Sequence, residues 1–540
     1  MNDLDINNKP EEIDLEEEQT QALVSDSDVT KDSSEAQKER EPIEFTARDW
    51  LVLLACLGLG LICEKLLGAI FNTENTEIVL PGLGITVIVF LFAGTALIYL
   101  GKKARYSIAN ILLLAAVLLL ALSCTLFGNL NLRIINYLLI LSVGAMTMFQ
   151  ISGQARRLWS SAPVMGETVV LGFMSLFINI DKPFRAATLS KKGKGHSLEL
   201  IIGTFIALPV LAIILSLLSS ADVIFSDMVN DMANTLRELD IYNTIWDALK
   251  VAIYMLLLFS VCYSMRQWQE RDALPEIFEK GDLEVKGSVV FATVLILLNM
   301  VYIAFVAIQI RFLFGGPGTA GISGGYSEYA RTGFFQLVFV SMINLSTVLI
   351  TITTGFKRAG KHSAVLKGLC ILMLMLTCVI LASALWRMLL YISVYGLSLL
   401  RMLTLWGMLV IAAGLLVAGI KTIRESISFF PVIFAVALST WIVLNYINVG
   451  AFIANYNVDA YFDGRVEQLD IHYISSLSAD AEPALRRIAG SEWEGDEADD
   501  KKQYAAISIN RMISNANEEK EWIHWNLSDA KLANGYIFRK

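Results

Sequence analysis

Charged side chains at the edges of long apolar blocks are the residues of this sequence that could do chemistry. Glu64 and Lys65 stand side by side within one apolar block, and Glu328 and Arg331 stand one helical turn apart before another. A charge at bilayer depth costs at least about 2.5 kcal/mol unless it is paired or reaches the interface, so such residues are often functional. The candidate ligand-binding residues are Glu64, Lys65, Arg311, Glu328, Tyr329, Arg331, Arg387, Tyr391 and Arg401.

The arginines in this set suggest binding of phosphate or carboxylate, because the planar guanidinium pairs well with both groups. Arg387 and Arg401 flank Tyr391 in "ALWRMLLYISVYGLSLLRM", where a turn could hold a substrate or a lipid headgroup. A simpler interpretation also fits: the side chains reach toward the membrane surface, or form salt bridges that fix helix packing. Tyrosines at an outer hairpin tip are typical of that arrangement too. Both interpretations stay open.

Two glycine motifs beside these charges do not predict catalysis. "GISGG", residues 321–325, matches G-x-S-x-G, but a nucleophile elbow needs a strand–turn–helix setting and a histidine partner. "GGPGTAG" lacks the lysine that ends a phosphate-binding loop. The chain's four histidines are too few and too scattered for a metal site built on imidazole. We therefore predict no catalytic residue, no metal site and no cofactor, although a site built on carboxylates alone stays open.

The elements that must position the charged residues are apolar blocks of roughly 20 residues, the length at which a helix crosses a bilayer core of about 30 Å. Of the 540 residues, 55% are hydrophobic and only 18% are charged, whereas soluble chains carry about 25% charged residues. The predicted fold is all-α, a polytopic integral membrane protein with about eleven transmembrane helices. The blocks are 50–71, 78–100, 107–127, 131–151, 198–219, 244–264, 287–312, 332–355, 364–386, 397–419 and 427–448.

Lysine and arginine crowd every second loop, and this alternation predicts the orientation. Examples are Lys102, Lys103 and Arg105 in one loop, Lys357, Arg358 and Lys361 in a second, and Lys421 and Arg424 in a third. Because such loops face the cytoplasm, we expect a multi-pass protein of the bacterial cytoplasmic membrane with its N-terminus inside and its C-terminus outside. The apolar stretch 162–180 is either an interfacial or re-entrant helix, or a full span that would invert everything after it.

Two polar segments flank the multi-span domain, which we place at residues 45–449. Residues 1–44 are acidic and poor in apolar side chains, so we predict a disordered cytoplasmic tail. Residues 450–540 contain helical patterns but no further span, which predicts a small extracytoplasmic helical domain. The bilayer is the expected partner, and the tail or the C-terminal domain is a candidate site for a protein partner. The chain has no basic domain, which argues against nucleic acid, and the oligomeric state stays open.

Three stretches together resemble one family. They are "YSEYARTGFFQLVFVSMIN" at 326–344, "LWRMLLYISVYGLSLLRM" at 385–402 and "NVGAFIANYNVDAYFDGRVEQLDIHYISSLSADAEPAL" at 448–485. Their order is similar to that of bacterial polytopic membrane proteins grouped as domain of unknown function 4173. The resemblance implies an integral membrane protein with a C-terminal helical segment and no assigned reaction. This chain departs from the pattern at Asn448-Val449-Gly450, where such proteins often carry Asn-Pro-Asp, so the end of the last span is less sharply marked.

The sequence favours a non-enzymatic role, either in transport as a permease-like protein or in sensing of the cell envelope, with a polar vestibule that faces outward. Arg331, Arg387 and Arg401 would meet a ligand from that side. Two alternatives stay open. One is a membrane-embedded enzyme that acts on lipid-linked or envelope substrates, with Glu64 or Glu328 as acid or base. The other is a membrane scaffold that binds partners through its C-terminal domain.

Overall fold

The computed structural model describes most of the chain, and it divides the chain into two units. One unit comprises Arg48–Ile180 and Met232–Lys540, and the other comprises Met1–Ala47 and Asp181–Asp231. The described residues are 45–71, 80–153, 162–189, 214, 218–220, 222, 225–229, 241–267, 288–314, 334–356, 363–466, 468–492, 498–518 and 521–537. The predicted tail at 1–44, and most of the predicted span at 198–219, lie outside them.

Every regular element in the described residues is helical, which confirms the predicted fold class. The longer helices up to the end of the last apolar block are α1 Ala47–Phe71, α2 Leu83–Leu100, α3 Ile108–Leu126, α4 Leu130–Ile151, α5 Ala162–Ile178, α6 Lys182–Leu189, α7 Ile241–Gln267, α8 Ser288–Phe314, α9 Phe334–Ile350, α10 Ser363–Tyr395, α11 Leu399–Ile423 and α12 Phe429–Tyr446. The C-terminal helices are α13 Val449–Phe462, α14 Ile471–Ser475, α15 Glu482–Ala489, α16 Ala498–Asn517 and α17 Leu527–Ile537.

Within the described residues, 10 helices are long and apolar enough to cross a membrane: α1 to α4 and α7 to α12. These correspond one for one to ten of the predicted blocks, and the eleventh, 198–219, is the one that lies largely outside the described residues. The C-terminal helices α13 to α17 fall into the same unit as these ten helices. The predicted domain boundary at 449 therefore stays a prediction.

Side-chain caps set several helix boundaries. The side chains of Ser107, Asn129 and Ser398 accept hydrogen bonds from backbone N–H groups in the first turns of α3, α4 and α11, which satisfies donors that have no partner within a helix. The expected proline is missing after α12, and Asn448 makes the turn instead. Its φ of 55° lies in the left-handed region, and its side chain accepts a hydrogen bond of 3.3 Å from Ala451 N.

One end of the bundle, which we call the Asp49 end, is joined by a buried polar cluster. Asp49 on α1 accepts a hydrogen bond of 2.8 Å from Arg266 Nη1 at the end of α7, and a second bond from the Tyr99 hydroxyl at the end of α2. Asp49 is only 2% exposed. A buried carboxylate is expensive unless it is paired and hydrogen-bonded, so this cluster holds three helix ends together.

The opposite end, which we call the Asp480 end, carries the C-terminal helices. Asp480 accepts hydrogen bonds from Gly128 N, between α3 and α4, at 3.1 Å and from Asn448 Nδ2 at 3.0 Å. The Ser528 hydroxyl of α17 donates to the same carboxylate. Gly82 N also donates to Ile523 O at 2.9 Å. The C-terminal helices are therefore tied to the start of α2, to the turn between α3 and α4 and to the turn after α12.

Helix α5, which covers the ambiguous stretch 162–180, returns to the Asp49 end. Asn179 Nδ2, just after α5, donates to Ser264 Oγ at 2.7 Å in the last turn of α7. Near the middle of α5, a Cβ on Gly172 would lie 2.7 Å from the Ala145 Cβ of α4. Since α4 also finishes at the Asp49 end, the chain from the end of α4 to Asn179 makes no net crossing. This geometry agrees with an interfacial or re-entrant helix and disagrees with a single full span.

The second unit contributes one described helix of eight residues, α6. It begins after Asp181, whose carboxylate lies 3.4 Å from Arg185 Nη1 across one helical turn. An exposed i,i+4 pair of this kind supports a short helix by a few tenths of a kcal/mol.

Candidate functional site

Helices α8, α9 and α10 enclose a row of polar side chains deep within apolar sequence. We call it the polar seam, and its members are Asn299, Tyr302, Ser341, Asn344 and Thr377. Asn299 Nδ2 of α8 donates to Leu369 O of α10 at 3.1 Å, and Asn344 Nδ2 of α9 donates to Thr377 Oγ1 of α10 at 3.0 Å. Tyr302 lies beside the Asn344 amide. The seam thus joins all three helices through polar groups.

The side-chain oxygens of two asparagines in the seam receive no hydrogen bond from any described residue. Asn299 is 3% exposed and Asn344 is 1% exposed, and the Oδ1 atom of each is buried without a partner. Asn299 Nδ2 donates to a backbone carbonyl, so a flip of that amide would lose the bond. The Asn344 amide lies beside the hydroxyls of Thr377 and Tyr302, which can donate as well as accept. A buried acceptor without a donor costs about 1–3 kcal/mol. The two oxygens lie on neighbouring helices, α8 and α9, in the bundle interior.

The Asp49-end side of the seam carries an irregular helical turn. After α9, residues Thr351–Gly355 form a π-helical turn. Such turns are rare and are frequent at functional sites. Gly355 packs closely on α8, because a Cβ there would lie 3.3 Å from the ring of Phe291. The π-helical turn therefore lies where α8 and α9 approach each other, between the seam and the Asp49 end.

On the other side of the seam, α10 continues to a cluster of arginine and tyrosine. Arg387 lies ten residues beyond Thr377, about 15 Å along the helix at 1.5 Å per residue, and is only 8% exposed. The Arg401 guanidinium, from the start of α11, stacks on the Tyr391 ring at 4.3 Å. Arg401 Nη1 also donates to Tyr395 O at 2.9 Å. Three of the predicted site residues therefore lie close together. Arg387 and Tyr391 are about one turn apart on α10, and Arg401 stacks on Tyr391.

Two C-terminal side chains hold the turn between α10 and α11. Asn457 of α13 makes a paired contact with the Leu397 backbone: its Oδ1 accepts from Leu397 N at 2.6 Å, and its Nδ2 donates to Leu397 O at 2.8 Å. The Tyr473 hydroxyl of α14 accepts a hydrogen bond of 2.7 Å from Leu399 N. Burial raises the pKa of Tyr473, so its hydroxyl stays neutral at physiological pH. Gly396 turns the chain here with a φ of 74°.

Glu64 and Lys65 lie elsewhere, on α1. The Glu64 carboxylate is 3.9 Å from Lys65 Nζ and 3.7 Å from Lys250 Nζ on α7, and Lys250 is also 2.8 Å from Asp247. This cluster has equal numbers of positive and negative charges. Its geometry matches the salt-bridge interpretation of these residues, and their predicted ligand-binding role stays a prediction.

The remaining predicted residues cannot be compared with the seam in the same way. Arg311 belongs to α8, but its side chain lies outside the described part of the chain. Glu328, Tyr329 and Arg331 lie in the interval between α8 and α9, which is also outside the described residues. Their predicted ligand-binding role stays a prediction as well.

The sequence reading overlooked a second buried polar cluster, around Arg133 on α4. Asn136 Nδ2 donates to Asn445 Oδ1 of α12 at 2.7 Å, and Trp441 Nε1 donates to Asn136 Oδ1 at 2.9 Å. A signal was present: Asn129, Arg133 and Asn136 recur at four and three residues, which places them on one helix face. Arg133 stands near the start of the predicted apolar block at 131–151 and was not among the predicted site residues.

These observations define the class of protein: an all-α, multi-pass membrane protein with polar clusters inside its helix bundle. The chain belongs to the family described as "Domain of unknown function (DUF4153)", whose profile matches residues 114–488, more than half of its length. The resemblance to a family of unknown function is thus confirmed, but the family that matches is number 4153 and not 4173. No curated protein and no solved structure matches this chain significantly.

Proposed function

We propose that this protein is a permease-like protein of the bacterial cytoplasmic membrane that binds a polar solute in the seam between α8, α9 and α10. The observation that carries the proposal is a pair of buried oxygens in the bundle interior, Asn299 Oδ1 and Asn344 Oδ1, to which no described residue donates a hydrogen bond. Polar groups at such depth are expensive and tend to mark solute pathways. The solute would supply the hydrogen-bond donors that the protein lacks there.

The proposed orientation rests on basic residues at the Asp49 end. Lys102 and Lys103 follow α2, Arg266 ends α7, and Lys421 lies in the last turn of α11. Short loops rich in lysine and arginine stay in the cytoplasm. The Asp49 end would then be cytoplasmic, and the Asp480 end, with the C-terminal helices, would face outward. A solute from outside would pass Arg387 before it reached the seam.

Cysteine accessibility tests the pathway without knowledge of the solute. Ser341→Cys changes one buried atom on the seam face of α9, and Ser346→Cys is a matched control on the exposed face of the same helix. A thiol reacts with a water-soluble methanethiosulfonate reagent only where water reaches it, because the thiolate is the nucleophile. We expect Ser341→Cys to be labelled above the parent's background and Ser346→Cys, which faces lipid, to stay at background. Equal labelling at background level would contradict a water-filled pathway.

Envelope sensing is the second candidate, and the contacts of Asn457 and Tyr473 favour it. These two C-terminal side chains hold the turn that joins α10 to α11, and α10 carries Thr377 of the seam. A displacement of the C-terminal helices would therefore be passed to the seam. We expect Asn457→Ala to change the labelling rate of Ser341→Cys several-fold if the two regions are coupled. An unchanged rate would argue against sensing and leave the permease proposal untouched.

A further inference from the structure

Arg133 is a buried cation without a carboxylate partner. Its side chain is on α4, it is 5% exposed, and no carboxylate in the described residues lies within 4.0 Å of it. Its hydrogen bonds go to backbone carbonyls: Nε and Nη2 donate to Phe127 O at 3.2 and 2.8 Å, and Nη1 donates to Leu80 O at 2.9 Å. Carbonyl groups satisfy donors, but they do not neutralise a buried charge.

A small cavity lies against this guanidinium. Its volume is about 10 Å³, close to the minimum that one buried water needs. Most of the side chains around it are polar: Ser123, Asn129, Arg133, Asn136, Asn445 and Asn448, together with Phe127, Leu132 and Val449. The cavity is therefore polar and has room for a single small ligand.

Donors without a partner border this cavity. A guanidinium has five N–H groups, and three hydrogen bonds of Arg133 are accounted for, so two N–H groups remain without an acceptor in the described residues. Asn129 uses its Oδ1 to cap α4, accepting from Leu132 N at 3.1 Å. Its Nδ2 donates to no described residue. In contrast, Asn136 and Asn445 are occupied with each other and with Trp441. The vacant groups are donors, so the ligand must be an acceptor.

The backbone adds positive potential at the same place. Helix α4 begins at Leu130 and α13 begins at Val449, and the residues that cap both helices, Asn129 and Asn448, line the cavity. A helix N-terminus carries a partial positive charge of about one half. Two N-termini and one guanidinium thus surround a space that holds no carboxylate. Asp480 lies nearby and is not among the lining residues. Its bonds from Gly128 N and Asn448 Nδ2 come from neutral donors, so its negative charge lowers the positive potential of the site without pairing with Arg133.

We propose that this cavity binds a small monovalent anion, with chloride as the physiological example, through Arg133 and Asn129. The anion supplies the charge that Arg133 lacks and accepts hydrogen bonds from the vacant N–H groups. It therefore strengthens the junction of α4, α12 and the C-terminal helices. This site is separate from the polar seam, and it does not depend on the proposed function.

The test measures thermal unfolding of the purified full-length protein in detergent while chloride is exchanged for gluconate at constant ionic strength. A ligand that binds only the folded state raises the melting temperature as its concentration rises. We expect a lower melting temperature in gluconate and its recovery when chloride or bromide is added. If the melting temperature is the same in chloride, bromide and gluconate, a water molecule occupies the cavity and the proposal is wrong.

Substitutions at Asn129 locate the effect. Asn129→Asp keeps the helix cap, since aspartate caps as well as asparagine, and its second carboxylate oxygen supplies a fixed negative charge beside Arg133. We expect this variant to lose its halide dependence and to match or exceed the melting temperature of the parent in gluconate. Asn129→Ser keeps a helix cap but removes the amide donors. A higher halide concentration should therefore be needed for the same rise in melting temperature.

The matched control is Asn131→Asp, which adds the same charge to the first turn of α4 on its exposed side. It should keep the halide dependence of the parent, because its carboxylate does not reach the cavity. If Asn129→Asp responds to halide as strongly as Asn131→Asp does, the anion binds somewhere else and the assignment to Arg133 fails.

Discussion

Asp49 and Arg266 form an ion pair of 2.8 Å between the first turn of α1 and the last turn of α7, although 217 residues separate them in the chain. This pair places the end of α7 at the same end of the bundle as the start of α1. The end of α4 lies there too, since Arg105 N, just after α2, donates to Ile151 O at 2.7 Å. Helix α7 therefore begins at the end opposite to the one where α4 finishes.

The sequence predicts one membrane crossing between α4 and α7, in the apolar block 198–219, most of which lies outside the described residues. Opposite ends for Asn179 and for the start of α7 agree with that prediction. Thiol labelling of Lys182→Cys and Asn243→Cys in right-side-out membrane vesicles tests this prediction. We expect an impermeant maleimide to label Asn243→Cys directly and Lys182→Cys only after permeabilisation. Labelling of both positions from one side would refute a single crossing.

The proposed orientation predicts that the two ends of the bundle face different compartments. Lys102 lies at the Asp49 end, and Glu518 lies exposed just after α16, among the C-terminal helices. In the same vesicles, we expect the impermeant maleimide to label Glu518→Cys and not Lys102→Cys. The reverse pattern would leave the fold intact but invert the orientation, because the fold determines only that the two ends are opposite.

Single substitutions of Asp49 and of Arg266 should lower the free energy of unfolding by unequal amounts. The Asp49 side chain is 3% exposed and that of Arg266 is 30% exposed. Arg266→Gln leaves a buried carboxylate without its cation, and we expect it to destabilise the fold by about 1–3 kcal/mol, less than for a fully buried pair because Arg266 is partly solvated. Asp49→Asn leaves a cation that can reach solvent, so we expect a cost of about 1 kcal/mol. Unfolding of the two purified variants measures both losses of stability. A larger loss for Asp49→Asn than for Arg266→Gln would contradict this prediction.

Two glycines on α1 make a matched pair for helix packing. A Cβ on Gly60 would lie 2.8 Å from Val251 O of α7, whereas a Cβ on Gly58 would have no atom within 4 Å. We expect Gly60→Ala to cost about 1–3 kcal/mol because α1 and α7 must separate. Gly58→Ala should be neutral or stabilising by up to about 1 kcal/mol, since alanine is the better helix former. Equal melting temperatures for the two variants would show that α1 is not held closely against α7.

Asp480 should control how firmly the C-terminal helices are attached. Asp480→Asn turns one acceptor oxygen into a donor that faces Gly128 N or Asn448 Nδ2, and we expect a loss of about 1–3 kcal/mol. The readout is limited proteolysis of residues 449–537, which should become faster than in the parent. Asp463→Asn is the control, because the Asp463 side chain is 61% exposed and its one ion pair within the described part of the chain is with its near neighbour Arg465. If both variants are cleaved at the parent's rate, the contacts of Asp480 do not limit detachment.

The spans could be predicted from the sequence because apolar length is a local property of the chain. The block at 131–151 became α4 at Leu130–Ile151, and the block at 287–312 became α8 at Ser288–Phe314. One boundary was placed too early: the block at 364–386 became α10, which continues to Tyr395. Hydropathy falls at Arg387, but the backbone hydrogen bonds of a helix do not depend on it. The helix ends only before Gly396, whose positive φ interrupts those bonds.

Which polar residues meet could not be predicted in the same way, because such contacts depend on packing between distant segments. Asn136 and Asn445 are 309 residues apart, and Asp49 and Arg266 are 217 apart. No local pattern relates the members of either pair. Glu64 and Arg401, in contrast, are evident from the sequence, because each is a charged residue within or at the edge of an apolar block. Their partners, Lys250 and Tyr391, became evident only from the three-dimensional arrangement.

The sequence by itself therefore determined the class of protein, the spanning helices and the charged residues that needed an explanation. Each follows from composition over about 20 residues and from the cost of charge in a bilayer. Only the tertiary structure decided that α5 returns to the Asp49 end. It also decided that, among the described residues, Arg133 meets no carboxylate and two asparagines in the seam receive no hydrogen bond at their side-chain oxygens. The physical reason is that burial and hydrogen bonding are properties of packed neighbours, and in this bundle those neighbours come from segments hundreds of residues apart.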